Sequence, residues 1–197
     1  YVTLLQAVAD AFFAQKGPPT SSAAWAAAVL LDFGMTPLPV QAWGESTRKG
    51  HMLYLHVFNW PKDGQLVIGG LKTDVKTAYL LADTKRGALK LERVNPFDVA
   101  VMVPSSAPHD ADSVVVLECD GAIQTDSVRL LQPAFASDTL RVFDGDLDGA
   151  GLRFGPGKVR DAYVTGLSKP GQSIAWAVRL NAPATFEVRL IYDADEA

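Results

Sequence analysis

The chain has 197 residues, 48% hydrophobic and 20% charged; this suffices for one large domain or two small ones with a buried core, and excludes a disordered tail. Its 22 acidic and 18 basic residues leave a net charge of -4, so nucleic acid and anionic membranes are poor partners. Cys119 is the only cysteine, which excludes an intrachain disulfide and a multi-thiolate zinc site. The most apolar stretch, Ala23 to Leu31, falls far short of the roughly 20 residues that a bilayer-spanning helix needs.

The first elements read as helical. Leu4, Leu5, Val8, Ala11 and Phe12 recur at the spacing of one helix face, predicting a helix over Tyr1 to Gln15. Lys16-Gly17-Pro18-Pro19 ends it, because a proline pair cannot continue the hydrogen-bond ladder. Ser21 or Ser22 caps a second helix through Phe33, closed by Gly34. The expectation is a helical hairpin in a lead-in spanning 1–39. Because the chain opens at Tyr1 without a leader, it reads as a processed or excised piece of something longer.

From about Trp43 the hydrophobic period changes to two, and His51 to Phe58 reads as a strand. Further strands are expected at Leu66 to Ile68, Val75 to Leu81, Leu89 to Leu91, Val99 to Val103 and Val114 to Glu118, separated by Gly, Pro, Asn and Asp. Short strands at such spacing predict an antiparallel β-sandwich over 40–120. After Asp120 a second β group follows over 121–197, with strands at Val128 to Leu131, Leu140 to Phe143, Leu152 to Phe154, Ile174 to Leu180 and Phe186 to Tyr192. The last strand runs almost to Ala197, so this second unit is expected to be partial.

The block Trp43-Gly44-Glu45-Ser46-Thr47-Arg48-Lys49-Gly50, followed by Leu53-Tyr54-Leu55-His56-Val57-Phe58-Asn59-Trp60-Pro61-Lys62-Asp63-Gly64, is more specific than any periodicity. It resembles the region just after the catalytic barrel in α-L-fucosidases, the family 29 glycoside hydrolases. The likeness continues through Leu71-Lys72 and Val75-Lys76-Thr77-Ala78-Tyr79-Leu80-Leu81-Ala82-Asp83, and ends at Asp112-Ser113-Val114-Val115-Val116-Leu117-Glu118. Leu140 to Tyr192, with Lys169-Pro170-Gly171, more loosely resembles the jelly-roll-like carbohydrate-binding module that follows the sandwich in some bacterial members. The family's chemistry sits on a (β/α) barrel N-terminal to the sandwich, and no motif here matches it.

No catalytic residue is therefore assigned. Asp63, Asp83, Asp112 and Glu118 fall in turns or at strand ends, where solvated carboxylates are ordinary. Among His51, His56 and His109, His56 lies opposite Leu55 and Val57 by strand alternation, with no metal-ligand spacing around it. Gly-x-Ser-x-Gly is absent, and Gly69-Gly70 and Gly155-Pro156-Gly157 lack the strand and helix context of a phosphate cradle. Asp144-Gly145-Asp146-Leu147-Asp148-Gly149 matches the first half of an EF-hand loop, but its twelfth position would be Gly155, so a tight polar turn is expected, with weak calcium binding as the alternative. Of Trp25, Trp43, Trp60 and Trp176, the last reads as core and Trp60 as exposed or at an interface.

The resemblance implies a non-catalytic C-terminal part of an α-L-fucosidase-like enzyme, secreted or periplasmic, inactive alone and partnered by a catalytic barrel in the same or a companion chain. Fucosylated glycans are the implied ligands, through residues the sequence does not identify, and no cofactor or metal is expected. The alternatives are a stand-alone carbohydrate-binding module and an interaction scaffold docking through the Tyr1 to Phe33 helices.

Overall fold

A computed structural model describes residues 38–155 and 163–192. The chain divides into two compact units, Tyr1–Ser127 and Val128–Ala197. In the first, β1 (Gly44–Lys49), β2 (Met52–Val57), β4 (Val75–Leu80) and β7 (Ser113–Cys119) form an antiparallel sheet in the order β1-β2-β7-β4. A second antiparallel sheet runs β3-β6-β5, from β3 (Gln65–Gly69), β5 (Leu91–Asn95) and β6 (Asp98–Met102).

Alternation decides what each sheet buries. Leu53, Leu55 and Val57 pair with Leu117, Val115 and Ser113, so one row of β2 and β7 lies on one face and is buried. In the other sheet Leu66 and Ile68 pair with Val101 and Val99 and are likewise buried. Together these rows form the core of a sandwich.

Trp43, fully buried just before β1, ties the sheets together. Its indole Nε1 donates to the Val67 carbonyl of β3 at 2.9 Å, while its own carbonyl accepts from the Phe58 and Asn59 amides, each at 2.9 Å. The Asn59 side chain donates to the Ala42 carbonyl at 2.9 Å. Gly44 follows at φ +153°, and a Cβ there would sit 2.0 Å from the His56 carbonyl oxygen; only glycine lets β1 approach β2 so closely. Upstream, Gln41 donates to the Pro39 and Gly69 carbonyls at 2.8 and 2.9 Å and accepts from the Gly69 amide at 3.1 Å.

Asp98 is a fully buried carboxylate, made tolerable by bonds from the Gly70 amide at 3.0 Å and the Asn95 side chain at 2.8 Å. Cys119 is also buried, and burial pushes its thiol up from 9.0 to about 11, against a smaller lowering by the Arg93 charge.

The second unit is thinner. It contains β8 (Arg129–Leu130), a 3-10 turn at Val142–Asp144, β9 (Asp146–Asp148), β10 (Arg153–Phe154), β11 (Val164–Thr165), β12 (Ser173–Ala175) and β13 (Val178–Arg179). These pair as β10-β11 and β12-β9, both antiparallel, and β13-β8, parallel. The buried Arg129 side chain donates to the Thr139 carbonyl at 2.8 Å and bonds Asp138.

Several expectations are corrected. The fold is mainly β, and among the described residues there is no α-helix, only the 3-10 turn, with the sandwich core closed by rows from both sheets. The helical hairpin expected over Tyr1 to Phe33 lies outside the described residues. Among the described residues of the second unit the strands run to only two or three residues each and pair as three two-stranded ladders rather than as a jelly-roll-like sheet. Leu140 to Phe143 leads into the 3-10 turn rather than forming a strand, and Phe186 to Tyr192 joins no ladder. Among the described residues, no helix is long and apolar enough to cross a membrane.

Gly44→Ala is expected to lower the unfolding free energy by about 2–4 kcal/mol through overpacking and strain, and Trp43→Phe by about 1–3 kcal/mol through the lost indole hydrogen bond and lost area, both read by urea denaturation. Because only the unfolded Cys119 thiol ionises between pH 9 and 11, stability is expected to fall as pH rises through that window. Alkylation at pH 8 should likewise wait for unfolding, and rapid labelling of the folded chain would contradict this placement.

Candidate functional site

The face of the four-stranded sheet opposite the core gathers the side chains with chemical potential. Strand register places Glu45 and Thr47 of β1 beside His56 and Tyr54 of β2, then Val114 and Val116 of β7, with Tyr79 of β4 opposite Val116. Val116 and Tyr79 are buried, Tyr54 and His56 half-buried, and Glu45 and Thr47 exposed. Burial pushes the Tyr54 phenol above its ordinary value, the neighbouring Tyr79 adds to this, and the Arg86 charge opposes both. Arg86 itself lies over the Tyr79 ring, 5.2 Å from its centroid.

His56 is the centre of a polar line across this face. Its Nδ1 lies 3.0 Å from Asp112 Oδ2 and its Nε2 3.5 Å from Thr47 Oγ1. The order hydroxyl, imidazole, carboxylate is that of a nucleophilic relay. The surroundings are not: Thr47 stands exposed on edge strand β1 rather than enclosed in a pocket where a substrate could be held against it. The imidazole instead anchors the segment entering β7 to β2. Asp112 Oδ1 is buried without a described partner, so loss of His56 would leave the whole carboxylate unpaired.

The other sequence-marked residues serve local structure. Asp63 accepts from the Gln65 amide at 3.1 Å. Asp83 accepts from the Gly87 and Lys85 amides at 2.8 and 2.9 Å, which hold its carboxyl below the usual 3.8. Glu118, half-buried, stands 3.8 Å from the exposed His51. The His109 amide donates to Ser113 Oγ at 3.0 Å, and that hydroxyl donates back to the His109 carbonyl at 2.9 Å. Trp60 is half-buried with its indole donating to the Pro104 carbonyl at 2.8 Å, and Trp176 is half-buried with its indole donating to the Arg141 carbonyl at 2.8 Å. Trp25 lies outside the described residues.

Asp144 ends the 3-10 turn, and from Asp146 onward the expected polar turn is replaced by a strand. Asp146 and Asp148 flank Leu147 within β9, paired to β12, so the segment is extended where a calcium loop would curl. Among the described residues, no group of three or more His, Cys, Asp or Glu side chains could hold a metal ion.

A shallow cleft of about 160 Å³ opens at Asp74, Val75, Leu91, Glu92, Arg93 and Val99, below the roughly 300 Å³ at which small-molecule sites begin. Arg93 is spent there on the Leu71 and Thr73 carbonyls, at 2.6 and 2.8 Å, and on Asp74 at 2.9 Å.

No protein-family model matches the sequence, and no curated protein does. Solved structures do. One is alpha-L-fucosidase isoenzyme 1 from Paenibacillus thiaminolyticus, at 28% identity and TM-score 0.39 over 45% of this chain and 22% of that one. Another is a GH29 alpha-L-fucosidase from Bacteroides thetaiotaomicron, at 24% identity and TM-score 0.39 over 46% and 20%. A third is alpha-L-fucosidase from Vibrio sp. strain EJY3, at 20% identity and TM-score 0.42 over 55% and 21%. This chain thus spans about a fifth of each of these proteins.

His56→Ala and Asp112→Ala are each expected to cost about 1–2 kcal/mol of stability, with a coupling of about 1 kcal/mol in the double-mutant cycle. Additive losses would mean that the pair is not formed in solution.

Proposed function

We propose that this chain is a non-catalytic C-terminal part of an α-L-fucosidase-like glycoside hydrolase, whose first unit supports a catalytic barrel outside the residues of this sequence. The observation that carries the reading is the use the fold makes of the resembling block. Trp43 pins the two sheets, Gly44 admits the close strand approach, and Asn59 caps the Ala42 carbonyl. Pro61 is among the fully buried residues, and Gly64, at φ +72°, exchanges bonds with Pro61 and Val103. The motif is a folding motif, which fits an accessory sandwich and leaves hydrolysis, which needs two carboxyl groups flanking the bond, to other residues. On that sheet face it is the half-buried Tyr54 and His56 and the exposed Glu45 and Thr47 that remain open to cover a neighbouring domain.

A second reading, glycan binding by the second unit, is favoured by one feature: Phe143 and Phe154, 38% and 44% exposed, with ring centroids 5.4 Å apart.

The chain alone is expected to show no turnover of a chromogenic α-L-fucoside; turnover would overthrow the accessory role. Mixed with a separately produced fucosidase barrel it is expected to associate, and Tyr54→Glu to weaken that association at least tenfold while leaving the chain folded. Saturable binding of L-fucose or fucosylated oligosaccharides by calorimetry, lost in Phe154→Ala, would favour the second reading instead.

A further inference from the structure

The segment Phe186-Glu187-Val188-Arg189-Leu190-Ile191-Tyr192 alternates apolar and charged residues over its first five positions, yet it makes no backbone hydrogen bond to another described residue. Val188, Leu190, Ile191 and Tyr192 are 88%, 77%, 97% and 77% exposed. Alternation of this kind belongs to a strand in a sheet, and an unpaired apolar strand is a template for another. The only ion pair that the segment makes within itself, Arg189 Nε to Glu187 Oε1 at 2.7 Å, is exposed and contributes little.

The order of the residues selects the occupant. An antiparallel pairing of the segment with its own copy, centred on Val188, sets Glu187 of each copy opposite Arg189 of the other, and Phe186 opposite Leu190. Both charged pairs then fall on one face, with Ile191 opposite Thr185 beside them, and the Phe186, Val188 and Leu190 pairs fall on the other. Sliding the register by two residues sets Glu187 opposite Glu187 or Arg189 opposite Arg189, and like charges directly opposite destabilise a sheet. Sliding by one sets charged residues opposite apolar ones. Parallel in-register pairing sets each charge against itself.

We propose that Phe186 to Tyr192 is a self-complementary β edge through which two copies of this chain associate, antiparallel about a two-fold axis at Val188. The interface is isologous, and its specificity lies in the reciprocal Glu187 and Arg189 pairs.

The test is the mass of the full chain by light scattering and sedimentation across micromolar concentrations. The wild-type chain is expected to dimerise, with Glu187→Arg and Arg189→Glu each weakening the dimer at least tenfold. An equimolar mixture of the two variants should restore it as a heterodimer, since copies carrying Glu187→Arg face copies carrying Arg189→Glu with opposite charges at both positions. Unchanged melting and circular dichroism of each variant would show that folding is intact. A monomeric wild-type chain, a dimer indifferent to both substitutions, or a mixture that fails to recover would each overturn the proposal.

Discussion

The sandwich depends on one buried indole. Trp43 precedes β1, yet its ring N–H reaches the opposite sheet at Val67, and its carbonyl holds the chain at Phe58 and Asn59, just past the end of β2. A buried donor without a partner costs more than a formed bond contributes, so the indole admits few other arrangements of the two sheets. Gly44 is the corollary: with the preceding residue fixed inside, β1 can join β2 only by passing within a Cβ radius of the His56 carbonyl. The resembling block is therefore a single mechanical unit, and its specificity as a sequence pattern reflects packing rather than chemistry.

What could be read from the sequence was what depends on neighbours along the chain. β2 shows a period-two row because one of its faces is apolar, while β6 and β7 stand out as short runs apolar on both faces. Polar edge strand β1 shows neither, since Glu45, Ser46, Thr47, Arg48 and Lys49 carry no apolar alternation. In β9, aspartates and glycine disguised a strand whose single apolar residue, Leu147, sets its inner face. Helical periodicity before residue 38 lies outside what the structure describes.

The candidate site was hidden for the complementary reason. His56 and Asp112 are 56 residues apart and meet only because β2 and β7 are neighbours in the sheet, which no local spacing announces. Their meeting also explains why an imidazole with no ligand pattern beside it in the sequence is nonetheless held in place. Chemistry that resembles a relay in its order is here a brace, since its hydroxyl stands exposed on an edge strand and its carboxylate leads into β7.

Gln41 has a consequence for how the sandwich bears load. Its carboxamide bonds both the carbonyl and the amide of Gly69, so the chain is stapled to the end of β3 before it reaches Trp43 and β1. Tension arriving from the N-terminal side must first shear this clamp and then extract the indole, and only afterwards can it peel β1 from β2 one ladder bond at a time. The hydrogen-bonded edge of the sheet is thus shielded from the pull, and the rupture force is set by a side-chain staple and a buried ring rather than by the strand that follows them.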